Sequence, residues 1–415
     1  MSSMNRVRPA GLGRIEFVLL ISAVMMIVAF TIDSMLPALP AIGSSLGVAD
    51  EGRWPLVIAV FLAGFGLSQL FVGVVSDRYG RRGPILWSIF GFGLTSLAAS
   101  LAPTFEHLLV ARFAQGITCA GARVIVTSII RDRFEGRDMA QVMSLSSMIF
   151  MAAPILAPTM GQFVLSFATW RWIFAVLAAI GLGLWIWLML RLPETLAPEN
   201  KISVSTPIVL ASARTVVTDR MSLGYGLAMT VLSCPLFGFL MSVQAIFQHS
   251  FGRPDFLPAG FAIMAAGMAA ASFLNAAIVK RLGKRRISHL ALFFFTAMAG
   301  IHVLVAFSGH ETLTSFVVLQ MIMMMGFALF MGNFGAMAME NMSQVAGMAS
   351  SIQGSLSSIA AAVIGALVGR AFDGTTVPLY FSFLVSGAVA LAIVYVTERG
   401  RFFVAHHAPS ALAGD

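Results

Sequence analysis

The sequence predicts an all-α membrane protein: twelve transmembrane helices in two six-helix pseudo-repeats around a central cavity. Three observations predict it. Apolar stretches of helix-spanning length, divided by short polar breaks, fill most of the 415 residues; a spanning helix needs about 20 apolar residues. Charged residues make up 11% of the chain against 58% hydrophobic, too little charge to cover a soluble surface. Lys and Arg collect in alternate breaks, the pattern that orients helices in a bilayer. Barrel strands would be segments of about 10 alternating residues, so helices are the way these stretches satisfy their backbone in lipid.

The spans fall at roughly 16–40, 54–76, 84–102, 107–130, 140–165, 171–192, 221–246, 257–279, 288–308, 312–338, 345–370 and 377–397. The polar segment 193–220 is the one long connector. It divides the chain into an N-terminal six-helix bundle (1–192), a cytoplasmic linker (193–220) and a C-terminal six-helix bundle (221–415). With the N-terminus on the cytoplasmic side, 20 of the 26 Lys and Arg fall in cytoplasmic segments, among them Arg6, Arg8 and Lys201. Arg53, Arg171, Arg253 and Arg370 fall opposite, and Arg112 and Arg123 lie inside the fourth span. This bias predicts both termini cytoplasmic, and a multi-pass protein of a bacterial-type inner (plasma) membrane is expected. The net charge of +8 is then a topology signal and not a nucleic-acid surface. The first apolar stretch runs on to Pro37 with no small-residue cleavage site, so a retained span is expected rather than a signal peptide. Cys119 and Cys234 lack metal-ligand or redox spacing and read as small hydrophobes.

The halves echo each other. GVVSDRYGRR (73–82) follows the second span and AAIVKRLGKRR (276–286) follows the eighth, with Gly80 matching Gly283. Lys280 stands where the first half has Asp77, so the repeat reads as structural and not functionally symmetric.

Within this frame a few residues carry chemistry. In the first basic loop Gly73 and Gly80 allow a tight turn. Asp77 can sit against a helix N-terminus, and Arg81, between Arg78 and Arg82 of the same motif, can pair with an acid on a neighbouring loop. Asp33 is the one acid clearly inside a span; Glu16, Glu106, Glu311, Glu340 and Glu398 sit near span ends. An acid in lipid is retained where it faces a cavity, pairs with a cation or carries protons. Pro37 and Pro40 kink the helix beyond it. Arg112, with Gln115 and Gly116, lies about 8 Å from the outer end of the fourth span, and Asp33 about 11 Å from the outer end of the first if that helix stops near Pro40. An Asp33–Arg112 contact, direct or through water, is therefore expected. Arg123 is eleven residues from Arg112 and shares its face about 16 Å further inward. Two readings of it stay open: a structural pair at the inner mouth, or a contact for an anionic or carbonyl-rich substrate.

The fifth span holds Pro154 and Pro158 on one face, with Ala153, Ala157 and Gly161 beside them, which bends a helix and lets another backbone approach. The Met cluster 321–331 reads as packing filler or as an adaptable cavity wall. Tyr225, Asn275, Asn333 and Gln353 are polar groups within spans and candidates for that wall; His302 reads as a packing residue. The Gly- and Ser-rich stretch 347–358 suits close packing between the halves.

Together these segments resemble the twelve-span drug:proton antiporters of the major facilitator superfamily, and within them the bicyclomycin/chloramphenicol-resistance (Bcr/CflA) group. The residues that carry the resemblance are Asp33 with LPALP, the loop from Gly73 to Arg82, Arg112 with Gln115-Gly116, Arg131-Asp132, Ala157-Pro158 to Gly161, and WRWIF at 170–174. Gln162 replaces a second glycine of the antiporter signature. The resemblance spans essentially the whole chain, most strongly the first half, and does not imply a substrate. It implies Asp132 as the partner of Arg81 in a latch that closes the cytoplasmic side in one state, and a substrate site near mid-membrane between the halves.

The expected function is proton-coupled export of small organic molecules by alternating access. Asp33 and Arg112 would couple protons; Asp33, Arg112, Arg123, Tyr225 and Asn333 would contact substrate. The rivals are a proton symporter importing a metabolite and a non-transporting sensor or scaffold. No enzyme activity, cofactor, metal or nucleic-acid partner is expected, since no nucleophile–base pair, ligand cluster or phosphate-binding GxxxxGK[ST] loop occurs. A monomer whose partners are the bilayer, protons and a small substrate is expected.

Overall fold

The computed structural model describes residues 13–134, 136–150, 152–197, 199 and 206–403. Arg6, Arg8 and Lys201 lie outside them. Every regular element among the described residues is helical. The first half contains α1 (Arg14–Asp33), α2 (Leu39–Ser45), α3 (Leu56–Tyr79), α4 (Arg82–Ser100), α5 (Phe105–Arg133), α6 (Gly136–Phe150), α7 (Ala153–Leu165) and α8 (Arg171–Arg191). The connector carries α9 (Thr206–Thr218). The second half contains α10 (Arg220–Ala245), α11 (Leu257–Leu282), α12 (Lys284–Phe307), α13 (Leu313–Ala338), α14 (Ala346–Arg370) and α15 (Val377–Thr397).

Among the described residues, 11 helical segments are long and apolar enough to cross a membrane. The remaining expected span, 140–165, is divided between α6 and α7. Proline explains the division. Pro154 has no N–H to give the carbonyl four residues back, so the helix restarts at Ala153 with Pro154 in its first turn. The same rule breaks the first span. Pro37 has no N–H for the Asp33 carbonyl, and α1 ends at Asp33. A 3₁₀ turn, Leu36–Ala38, then leads into α2.

The large apolar side chains that face outward, such as Trp87, Val110 and Phe307 at 74%, 71% and 80% exposure, form the surface expected against lipid rather than water. Inside each half, glycines set how near the helices come. A Cβ on Gly116 would stand 2.1 Å from the Phe61 carbonyl oxygen, and one on Gly64 would stand 2.2 Å from that of Phe113. α3 and α5 therefore cross backbone to backbone.

Helices α10 to α15 pack on one another, as do those of the first half. Between the halves α3 runs along α14, α7 lies on α11, and the Leu36–Ala38 turn meets α10. The α3–α14 seam uses the Gly/Ser stretch of α14. Gln69 donates to Ser358 Oγ at 3.1 Å, and a Cβ on Gly354 would stand 2.3 Å from Gln69 Oε1. The end of the molecule that carries the 73–82 and 276–286 loops is called the basic end below, and the other the far end.

Candidate substrate and proton site

The break in the first span sets Asp33 apart. Its side chain is 6% exposed and has no hydrogen bond or ion pair among the described residues. The hydroxyl of the next residue, Ser34, is buried and also has no partner. The fifth-span motif closes over this point. Gly161 of α7 lies so close that a Cβ there would stand 1.9 Å from the Ser34 carbonyl oxygen and 3.1 Å from Pro37 Cγ. Ala157 and Pro158 are buried on the same helix, and Pro154 is half-buried at its start. The prolines of the first span thus leave a buried carboxylate at a helix break, and the glycine of the fifth lets a second helix seat on it.

The expected Asp33–Arg112 contact is not made. Arg112 is fully buried. It donates from Nε to the Val57 carbonyl at 2.9 Å and from Nη1 to Gln115 Oε1 at 2.6 Å. Its guanidinium lies 4.6 Å from the Phe61 ring centroid and 5.7 Å from that of Phe174. Nη2 has no partner. The physical reason is depth. The first span does not end near Pro40 but continues through α2 to Ser45. Asp33 therefore lies twelve residues, about 18 Å, from its far end, whereas Arg112 lies seven residues, about 10 Å, from the start of α5.

Arg123 differs from Arg112 in being exposed, and it has no hydrogen-bond or ion-pair partner among the described residues. Tyr225 and Asn333, expected on the cavity wall, are both buried and hydrogen-bonded within the second half. Tyr225 is fully buried; its hydroxyl donates to Glu398 Oε1 at 2.6 Å and lies 3.0 Å from His289 Nε2. Asn333 is 6% exposed and ties α13 to α11 by donating to Asn275 Oδ1 at 2.9 Å. His302 sits 2.8 Å from Glu311 and stacks on Tyr380.

At the basic end the first loop is clamped. Gly80 turns the chain at φ +97°, a conformation glycine adopts without strain. Arg81 donates from Nε to Asp132 Oδ2 at 2.9 Å and from Nη1 to Ser76 at 2.8 Å, and it pairs with Asp77. Arg82 donates to the Leu192 and Met189 carbonyls at 2.7 and 2.8 Å. Arg78 lies exposed over the Tyr79 ring. Gly73 faces the other half: a Cβ there would stand 3.2 Å from Ser351 Oγ of α14.

Glu194, just after α8, completes the clamp by accepting from the backbone N–H groups of Arg81 and Arg82 at 2.8 and 3.2 Å. The second half repeats the arrangement. Gly283 has φ +81°, and Arg285 pairs with Glu340 at 3.0 Å and with Glu398 at 2.9 Å. Glu340 follows α13 as Asp132 ends α5, and Glu398 follows α15 as Glu194 follows α8. The clamp is thus repeated in both halves, whereas Asp77, which pairs with Arg81, has Lys280 at its place in the second half. Extending the comparison of the two halves past the loops, to the acids after the sixth and twelfth spans, is the signal that would have found Glu194 and Glu398.

Burial pushes the Glu194 carboxyl up, but the backbone N–H groups of Leu196, Arg81, Arg82 and Thr195 outweigh it and hold it below its ordinary 4.5. Burial likewise pushes Glu398 up, and Tyr225 and Arg285 outweigh it there. The sign follows from linkage. Groups with lowered folded-state values contribute stability that is fully present above the ordinary value and lost as pH falls through the lowered one. Purified protein should therefore lose thermal stability as the medium is acidified below about pH 4.5. Glu194→Gln should start less stable at neutral pH and show a shallower acid limb, both read by differential scanning fluorimetry.

At the far end the halves are joined by polar contacts. His249 lies 3.1 Å from Glu51, and Arg370 lies 4.0 Å from Asp50. A cavity of about 290 Å³ lies beside these pairs, walled by Trp54, Met241, Gln244 and Phe372 among others.

Two helical bundles in a lipid-facing shell, with a lone carboxylate and two arginines inside the spans, define a polytopic membrane transporter. Residues 19–366 match the family model of the Major Facilitator Superfamily, and the chain belongs to that superfamily. It is 31% identical over 396 residues to the "Uncharacterized MFS-type transporter YdgK" of Bacillus subtilis (strain 168), covering 94% of this chain and 98% of that protein. It is 28% identical over 394 residues to the "Bicyclomycin resistance protein homolog" of Haemophilus influenzae, covering 92% and 96%. A crystal structure of a bacterial homolog to the human lysosomal transporter Spinster, inward-facing and occupied, superimposes with a TM-score of 0.73 at 15% identity, over 92% of this chain and 96% of that one. At that identity the likeness is one of fold.

Proposed function

We propose that the chain is a proton-coupled antiporter exporting small organic molecules by alternating access between a first half (1–192) and a second half (221–415), with 193–220 as the linker. The observation that carries this reading is Asp33: a carboxylate without a partner among the described residues, at a helix break inside the membrane, capped by Gly161 of the fifth-span motif. An intramembrane acid without a cation is costly unless it takes up a proton or a ligand. Arg112, held by Val57 and Gln115, is the positive charge set beyond it in depth. The resistance name of the Haemophilus influenzae relative supports export. By the distribution of Lys and Arg, the basic end is cytoplasmic. The contacts that α7, the Leu36–Ala38 turn and the Glu51–His249 pair make across the halves then lie on the outer side, which suits an inward-facing state. The basic-end clamps hold each half together as a rigid body, and Gly73 against α14 is where the first clamp reaches the opposite half.

Inside-out membrane vesicles test the polarity. With the lumen acidified, chloramphenicol or bicyclomycin should accumulate, and a protonophore should release it. Accumulation only when the lumen is alkaline, with solute and proton moving together, would establish the symporter instead.

A further inference from the structure

We infer that Arg123 is the anchoring cation for an anionic group on the substrate, so that the compounds this carrier exports include organic acids bearing one carboxylate or sulfonate. The inference rests on the efflux reading above. It starts from the location of Arg123 on α5. Val110, Phe113 and Ile117 are exposed at 71%, 37% and 40% and mark the lipid side of that helix. At 3.6 residues per turn Arg123 points about 110° away from them, on the face of Arg112. It is exposed nevertheless, so it borders the space between the halves and not the lipid.

Arg123 is ten residues, about 15 Å, from the end of α5 at Arg133, inside the apolar stretch of that helix. An intramembrane cation on such a face normally pairs with an acid or marks a ligand path. No acid is within ion-pair distance among the described residues, and the other arginine on this face, Arg112, is held by the Val57 carbonyl and Gln115.

Depth also fits a ligand that reaches both charges. Arg133 stacks on Phe17 at 4.8 Å, which levels α5 with α1. Asp33 lies sixteen residues, about 24 Å, beyond Phe17, and Arg123 about 15 Å beyond Arg133. The two levels differ by about 9 Å, the length of a bicyclic aromatic acid. Such a molecule, with its anion on Arg123, extends to the level of Asp33.

The charge balance gives a second signature. Exporting a monoanion against one entering proton moves two charges in the same sense. A potential of 100 mV then supports a gradient of about 2,500-fold, against about 50-fold for a neutral substrate with one proton.

The test uses full-length protein in proteoliposomes with three probes: nalidixate as the anion, chloramphenicol as the neutral compound and ethidium as the cation. Parent, Arg123→Gln and Arg123→Lys are compared, with thermal stability recorded for each. The parent should move nalidixate with a steeper voltage dependence than chloramphenicol. Arg123→Gln should lower the nalidixate-to-chloramphenicol rate ratio about tenfold, and Arg123→Lys should restore part of it. Parent transport of chloramphenicol or ethidium without nalidixate would overturn the anion site and leave the efflux reading standing. So would a ratio unchanged in Arg123→Gln, or equal loss of all probes in both variants with stability intact. Movement of none of the three by the parent would remove both readings.

Discussion

Asp33→Asn should abolish proton-driven accumulation while leaving a folded protein. With one proton per cycle, 100 mV supports about a 50-fold gradient of a neutral substrate, and the variant should hold no gradient above the passive level. Asparagine keeps the shape of the side chain and its hydrogen-bonding capacity but carries no exchangeable charge. Stability separates this role from a structural one. Asp33 has no partner to lose among the described residues, so the variant should melt at or above the temperature of the parent, because no ion pair or hydrogen bond is removed and burying a neutral amide costs less than burying a charge. A clear loss of melting temperature would mean that the carboxylate holds the fold. Vesicle uptake and scanning fluorimetry on the same preparations read both outcomes.

Gly161→Ala should be the most damaging single-methyl change near the site. Its Cβ would meet the Ser34 carbonyl oxygen at 1.9 Å, and that atom is backbone at a helix break, not the end of a side chain that can swing away. Either α7 lifts from the break or the break itself moves. Overpacking of this kind costs about 1–3 kcal/mol, and here the displaced atoms flank the proposed proton site, so transport should fall further than stability. Gly183→Ala in α8 is the control: nothing lies within 4 Å of its Cβ, and helix propensity favours alanine. A Gly161→Ala protein with normal melting and normal efflux would separate the fifth-span motif from the Asp33 site.

The span pattern was legible because each helix must be apolar over a fixed length and each basic loop must lie on one side. The Arg81–Asp132 contact was legible from the resemblance, and both glycine turns from the loop repeat. What escaped the sequence depended on where helices stop. Pro37 and Pro40 announced a bend, yet the span continues beyond them to Ser45, which set Asp33 deeper and removed it from Arg112. Pro154 announced a bend in the fifth span and produced two helices. Tyr225 reads as a cavity-wall candidate because it is a polar group within a span; its acceptor is Glu398, 173 residues away. Contacts of that kind depend on which helices become neighbours, and hydropathy does not encode that. Glu194 and Glu398 were passed over for a related reason: an acid just outside a span reads as a solvated end until its partner, the turned loop, is placed beside it.

The measurement that bears most directly on the central claim is proton release from purified protein in weakly buffered detergent when a transported compound is added. Coupling through one shared site predicts that the parent releases protons on binding, in proportion to sites filled, and that Asp33→Asn releases none while still binding the compound. Equal release from parent and variant would contradict the assignment of Asp33. Binding by the parent without release would contradict antiport itself.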